Sequence, residues 1–356
     1  MSEKTSNSER FAVLDWLRGY FIIVIIVDHL SRWPSIWSTI SGKAWLWVTA
    51  AEGFIIISGL LVGYIRGYKK RFDPMNLVTK SLLKRALTLY IWAVLGTIVY
   101  TTLIWYLPLI GGAPGMPVSR GDWSSLIGRA VILDFTYVWV YFLKLYAVFL
   151  AFAPIAVWLL RRSQAGMLMS ISTSLLMIGW ATQNELLQWQ FLFFIPSMVG
   201  YHLDEIINWW RRTTSTIRAS LSWSVIGLSL VTIVLSVLAT FHQSTISSLA
   251  SALNPLFEKD TISLARAGMA FLWFSGLLLI FIKARHFIAR WLAWLIEPIG
   301  RSSLTAYILH GMALITISSL TASGSNILIN SALGAAAVLI VWSLLKIPRI
   351  NRVIPR

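Results

Sequence analysis

Ten stretches of predominantly apolar residues follow one another along this chain of 356 residues, with only short polar breaks between them. They cover 11–30, 45–65, 84–107, 138–160, 166–182, 187–202, 221–241, 264–282, 300–320 and 327–345. A membrane-spanning helix needs about 20 such residues. Lipid offers no water to a bare N–H or C=O, so only helices and closed barrels cross it, and runs this long and continuous are helical. With 57% hydrophobic and 12% charged residues, no water-soluble core absorbs the apolar sequence. The expectation is an all-α, polytopic membrane bundle of about ten transmembrane helices in the cell (inner, cytoplasmic) membrane. Both termini are expected in the cytoplasm: a tail over 1–10, a single transmembrane domain over 11–346 and a basic tail over 347–356.

Charge placement tests that layout. With the N-terminus inside, 21 of the 30 Lys and Arg residues fall in cytoplasmic segments, among them Arg66, Lys69, Lys70, Arg71, Lys80, Lys84 and Arg85. Outer segments hold Arg32, Lys43, Arg120, Arg129, Lys259 and Arg266, so the positive-inside rule is met. The net charge of +16 is then explained by basic loops facing anionic lipid rather than by nucleic acid. Without cysteine there is no disulfide, thiolate nucleophile or cysteine metal site. The first apolar stretch carries Asp15, Arg18, Asp28 and His29 and no small-residue cleavage site follows it, so it reads as a retained helix. The longest polar connections, near 108–125 and 242–261, are too short to fold alone, which places function among the helices. Residues 126–137 read as an interfacial or re-entrant piece on the outer side. The five histidines are scattered, no metal site is expected, and Gly111 to Gly115 lacks the ending of a phosphate-binding loop.

Ionisable residues within hydrocarbon are costly and are read as functional or paired. Asp15, Arg18, Ile22, Ile25 and His29 share one face of the first helix. Eleven residues separate Arg18 from His29 by about 16 Å along the axis and bring them within about 20° of each other. A cation at the cytoplasmic end and a proton acceptor at the outer end suit a channel in which a reagent meets its acceptor. The structural alternative pairs Arg18 with Asp15 and hydrogen-bonds His29 to a neighbouring helix. Depth arithmetic puts Glu52 of the second helix close to His29 in level, where a carboxylate would raise the basicity of the imidazole and fix its tautomer; the alternative is a buried partner for another cation.

The segment Leu14-Asp15-Trp16-Leu17-Arg18-Gly19, followed by Asp28-His29, resembles the opening of the acyltransferase-3 superfamily, with its arginine and histidine separated by ten residues in the first helix. The finer resemblance is to the OpgC-type branch, the succinyltransferases of osmoregulated periplasmic glucans. It is carried by Asp28-His29, Glu52-x-Phe54 with Ser58-Gly59, and Arg85 beside Leu89-Tyr90. It continues through Leu145-Tyr146 with Pro154, Trp189-Gln190 with Phe194, Arg266, and Gly300-x-Ser302-Ser303-Leu304, covering nearly the whole chain in order. Departures are Leu82 where the family often has a second arginine, Gly53 where the branch usually has a larger residue, and Tyr307 with His310, which look more like the wider superfamily.

The resemblance implies an O-acyltransferase that carries an acyl group, succinyl or acetyl, from cytoplasmic acyl-coenzyme A to a hydroxyl of an extracytoplasmic glycan or lipid-linked acceptor. His29 would be the general base, Glu52 its stabiliser, and Arg18 would join them in catalysis. Arg18, Lys84 and Arg85 would hold the donor phosphates, for which guanidinium forks and ammonium point charges are suited. Arg266, Tyr146, Lys144, Trp189 and Gln190 would bind the acceptor or the acyl group, although an interfacial anchor is the plainer reading of Arg266 and snorkelling that of Lys144. His310 reads as a structural hydrogen bonder, and Glu297 with Arg301 as an i, i+4 pair. The functional alternatives are a proton-coupled transporter or flippase for an envelope precursor, against which the absence of a repeat counts, and a scaffold within the cell envelope.

Overall fold

The computed structural model describes residues 2–42, 45–107, 115–241, 247–258, 261–348, 350 and 354, with main chain alone at 2–11, 241, 247 and 249. The side chains of Lys4 and Arg10, together with Lys43, Lys259, Arg349, Arg352, Arg356, His242 and residues 108–114, lie outside the described residues. The described residues form helices and no strand. In chain order they begin with α1 (Ser2–Leu30), α2 (Ser38–Ser41), α3 (Ala50–Leu61), which runs on as a π-helix over Val62–Lys69, and α4 (Met75–Tyr106). Next come α5 (Trp123–Val131), α6 (Tyr141–Arg161), α7 (Ala165–Ala181), α8 (Glu185–Trp189), α9 (Phe191–Tyr201), α10 (Leu203–Arg212), α11 (Ser215–Phe241) and α12 (Ser247–Leu253). The series ends with α13 (Leu264–Lys283), α14 (Arg285–Trp291), α15 (Ala293–Arg301), α16 (Ser303–Leu320) and α17 (Ile327–Leu345).

The chain is a helical membrane bundle. Seven helices among the described residues are long and apolar enough to cross a membrane, and each of the ten expected stretches falls on helix. Several boundaries differ from the expected ones, three of them for local reasons that the side chains show. The second stretch turns helical at Ala50 rather than at 45, because Thr49 forms a capping box: its side chain accepts from the Ala51 N–H while the Glu52 carboxylate accepts from the Thr49 N–H at 3.0 Å. The stretch 187–202 divides into α8 and α9 at Gln190, whose side-chain amide donates to the Leu187 carbonyl at 3.0 Å. Within 126–137, α5 is a short amphipathic helix that buries Leu126 and Ala130 and is followed by Leu133 in the left-handed region at φ 58°.

Two compact units result. The first comprises Met1–Ser41, Arg85–Ala147 and Phe287–Arg356; the second comprises Gly42–Lys84 and Val148–His286. In the first unit α1 packs along α15, α16 and α17. The α1–α15 crossing is close because it carries glycine: a Cβ on Gly300 would collide with the Asp15 carbonyl oxygen, so backbone rests directly on backbone as in small-residue membrane crossings. α16 is buried on most of its circumference, as befits a helix that is apolar all round. In the second unit α3 and its π-helical extension pack on α9, and α11 packs on α13. There Gly63 faces Ser197, and a Cβ would meet that carbonyl oxygen.

Gly63→Leu is therefore expected to destabilise the protein by about 1–3 kcal/mol through overpacking. Gly268→Leu, on an exposed helical site with no atom near its Cβ position, is expected to be close to neutral; unfolding in mixed micelles compares the two. The cysteine-free sequence also makes topology testable at exposed loop positions. In whole cells, Ser119→Cys is expected to react with a membrane-impermeant maleimide and Thr214→Cys to react only after lysis.

Candidate functional site

In the first unit, α1 presents Arg18 and His29 and α16 supplies the partner that His29 meets. The Nδ1 atom of His29 lies 2.8 Å from Nε2 of His310, with the two ring centres 5.1 Å apart. His310 is fully buried, whereas His29 is partly accessible. On its other side the His310 ring places Nδ1 against the Tyr307 carbonyl oxygen one turn back. Trp139 packs edge-on at 6.5 Å between ring centres, and the Tyr100 hydroxyl donates to the carbonyl of Ile308.

Aromatic side chains lead from this pair toward Arg18. Tyr307 lies 5.1 Å from His310, Phe142 lies 5.7 Å from Tyr307, and Tyr146 lies 6.2 Å from Phe142, all between ring centres. Tyr146 in turn is within electrostatic reach of Arg18, as are Asp15 and Arg85. Arg18 forms an ion pair with Asp15 at 3.7 Å, and its buried Nε has no described acceptor. Arg85 is exposed. Glu297 and Arg301 make the pair expected from their spacing, at 2.6 Å, and Trp16 Nε1 donates to the same carboxylate at 3.1 Å. Lys144 sits 5.5 Å from the centre of the Tyr141 ring and within electrostatic reach of Asp134.

Two groups of this unit lie outside the spanning segments. Arg32 is buried; it donates to the Ser323 hydroxyl and the Thr321 carbonyl, each at 2.7 Å, and so caps the C-terminus of α16, where a cation is favoured. Burial pulls its pKa below the ordinary guanidinium value. Burial also raises the Tyr137 phenol above its usual value, which keeps the proton on that hydroxyl.

In the second unit, Glu52 and Arg266 are 0% and 1% exposed and satisfy each other. Arg266 donates to Glu52 Oε1 from Nε at 2.9 Å and from Nη2 at 2.5 Å. Its Nη1 donates to the carbonyls of Glu258 at 2.6 Å and Thr261 at 3.1 Å. The other carboxylate oxygen accepts from the N–H and the hydroxyl of Thr49. Trp189 lies 5.8 Å from this guanidinium. Gln190 is buried and spends its amide within the helices, accepting from Ser172 Oγ and donating to the Ser172 carbonyl, both at 2.8 Å. It borders an apolar cavity of about 280 Å³ that carries no ionisable group. Lys84 is exposed.

The sequence puts Glu52 level with His29 as its stabiliser, with a buried partner for another cation as the alternative for Glu52 and a hydrogen bond to a neighbouring helix as the alternative for His29. The structure has the alternatives: Glu52 pairs with Arg266, and His29 meets His310 of α16. His310, read from sequence as a structural residue, is the side chain that touches the candidate base. The signal for it was present: a histidine midway along an apolar helix meets the same criterion that singled out His29.

Removing either partner of the buried Glu52–Arg266 pair leaves an uncompensated charge, so Glu52→Ala and Arg266→Ala are each expected to cost about 3–5 kcal/mol. The double variant is expected to lose less than their sum, as measured in a double-mutant unfolding cycle.

A family model described as "OpgC protein" matches residues 10–348. No curated protein and no solved structure matches the chain.

Proposed function

Because this chain belongs to the OpgC family, we propose that it is a membrane O-acyltransferase in which His29 is the general base for transfer from acyl-coenzyme A to a hydroxyl of an extracytoplasmic glycan. Family membership supports a glucan-modifying acyltransferase in general terms. The observation that supports the finer reading is the arrangement in the first unit. One helix carries a partly accessible histidine and an arginine eleven residues apart, and an aromatic wall of His310, Tyr307, Phe142 and Tyr146 runs from one toward the other.

The donor enters from the cytoplasm with its phosphates at Arg18 and Arg85, and Lys84 extends the same basic run in sequence. Its pantetheine arm lies along the aromatic wall and brings the thioester, carrying a succinyl or acetyl group, toward His29. The acceptor hydroxyl attacks the thioester carbonyl carbon while the His29 ring nitrogen not engaged by His310 removes the hydroxyl proton. The tetrahedral intermediate collapses, the C–S bond breaks, and the departing thiolate takes the proton from the imidazolium. No covalent enzyme intermediate or metal is needed. Tyr146 and Lys144 line the approach in the first unit. In the second, Arg266 and Gln190 are engaged by their neighbours, so their role is to hold the backbone around Trp189 rather than to grip the acceptor directly.

The test is transfer from labelled acyl-coenzyme A in membranes, with label followed into glycan and coenzyme A release monitored. His29→Ala is expected to lower the rate by about 10²–10⁴-fold, the usual weight of general-base catalysis. Arg18→Ala is expected mainly to raise the KM for the donor. Equal transfer by wild type and His29→Ala would overturn the assignment of the base, and movement of unmodified cargo without coenzyme A release would favour a transporter.

A further inference from the structure

Hydrogen-bond chemistry at the two imidazoles has only one consistent assignment when both are neutral. A carbonyl oxygen can only accept, so the contact between His310 Nδ1 and the Tyr307 carbonyl requires the proton of His310 to be on Nδ1. A neutral imidazole with its proton there carries a lone pair on Nε2. That lone pair faces His29 Nδ1 at 2.8 Å, a distance that requires a donor and an acceptor. The proton of His29 is therefore on its Nδ1, and its Nε2 holds the lone pair.

From this geometry we propose that His310 is a positioning residue: it fixes His29 in the Nδ1–H tautomer and so aims the basic Nε2 at the acceptor hydroxyl. This rests on the reading of His29 as the base. The chain from the Tyr307 carbonyl through His310 to His29 does what a carboxylate does in the familiar triads, holding the base in the right tautomer and orientation, but with a neutral orienter. Among the described residues, neither ring is hydrogen-bonded to a carboxylate, and the carboxylate that sequence nominated for the task is occupied by Arg266. As His29 takes up the acceptor proton on Nε2, its Nδ1–H becomes a stronger donor to the His310 lone pair, so the imidazolium is stabilised as it forms. Complete burial of His310, with Tyr307 and Trp139 against its ring, keeps water from competing for that lone pair.

The proposal is tested on the full-length protein, ¹⁵N-labelled at histidine and reconstituted in lipid bilayers, without any acyl donor. Solid-state NMR distinguishes protonated from unprotonated ring nitrogens, and His29→Ala identifies the His29 signals among the five histidines. In the wild type, His29 is expected to show a protonated Nδ1 and an unprotonated Nε2. His310→Gln retains an acceptor for His29 and a donor for the Tyr307 carbonyl, so it is expected to keep that tautomer and most of the activity. His310→Phe retains neither; its His29 is expected to move its proton to Nε2, and its kcat to fall by about 10–100-fold, as when orienting partners are removed, with little change in the KM for acyl-coenzyme A. A wild-type His29 protonated on Nε2, or a His310→Phe variant that keeps the Nδ1–H form, would overturn the proposal. The wild-type and His310→Gln spectra decide it even where the phenylalanine variant does not fold. Because the spectra need no turnover, they separate failure of the tautomer argument from failure of the base assignment, which the His29→Ala transfer assay judges alone.

Discussion

A polar group placed in hydrocarbon can be satisfied only by the protein around it, and in both units that requirement decides which helices must meet. In the second unit the Glu52 carboxylate accepts from Thr49 at the start of α3 and from Arg266 at the start of α13, and the same guanidinium holds the carbonyls of Glu258 and Thr261. One buried ion pair thereby sets the entry of two helices and the turn before the second. In the first unit one imidazole meets another, and the fully buried one, His310, is closed off by a main-chain carbonyl and aromatic rings. The close α1–α15 crossing at Gly19 and Gly300 sets α1 directly on the backbone of α15 at Asp15 and Gly19.

The helical bundle was legible in the sequence because spanning segments carry their signal in every residue: a run of apolar side chains has the same meaning wherever it packs. The boundaries were less so. The start of α3 depends on Thr49 and Glu52, a capping signature that hydropathy overlooks. The break between α8 and α9 depends on Gln188 and Gln190, whose side chains bond to backbone groups at Gly179, Leu187 and Ser172. Partnerships were least legible. Counting residues along each span gives the depth of Glu52 and of His29, but depth is one coordinate of three, and the choice of neighbouring helix does not follow from it. Arg266, placed by hydropathy at the edge of a span, is in fact 1% exposed, because a carboxylate waits for it. The pair Glu297 and Arg301 was readable because both residues stand on one helix, where spacing alone determines proximity.

The family relationship and the geometry inform different parts of the reading. Membership indicates the general chemistry, and the residues show what can be asked of each side chain. A guanidinium already engaged by a carboxylate and two carbonyls has little to offer a substrate. A partly accessible imidazole with one nitrogen engaged and the other available has a defined direction in which to act. The orienter proposed for His29 is itself neutral, so it adds no negative charge to that of Asp28, one residue away along α1.

The π-helical segment Val62–Lys69 bears on the seam between α3 and α9. Glycines stand at 59, 63 and 67, a spacing of four. In an α-helix each such step drifts about 40° around the axis, so a third small residue would begin to turn away from the partner helix. A π-turn winds more residues into each revolution, so the step from Gly63 to Gly67 rotates back where the step from Gly59 to Gly63 rotated forward. The backbone irregularity thus acts as a phase correction, keeping the row of small residues facing α9 and Tyr201 for longer than regular winding would allow.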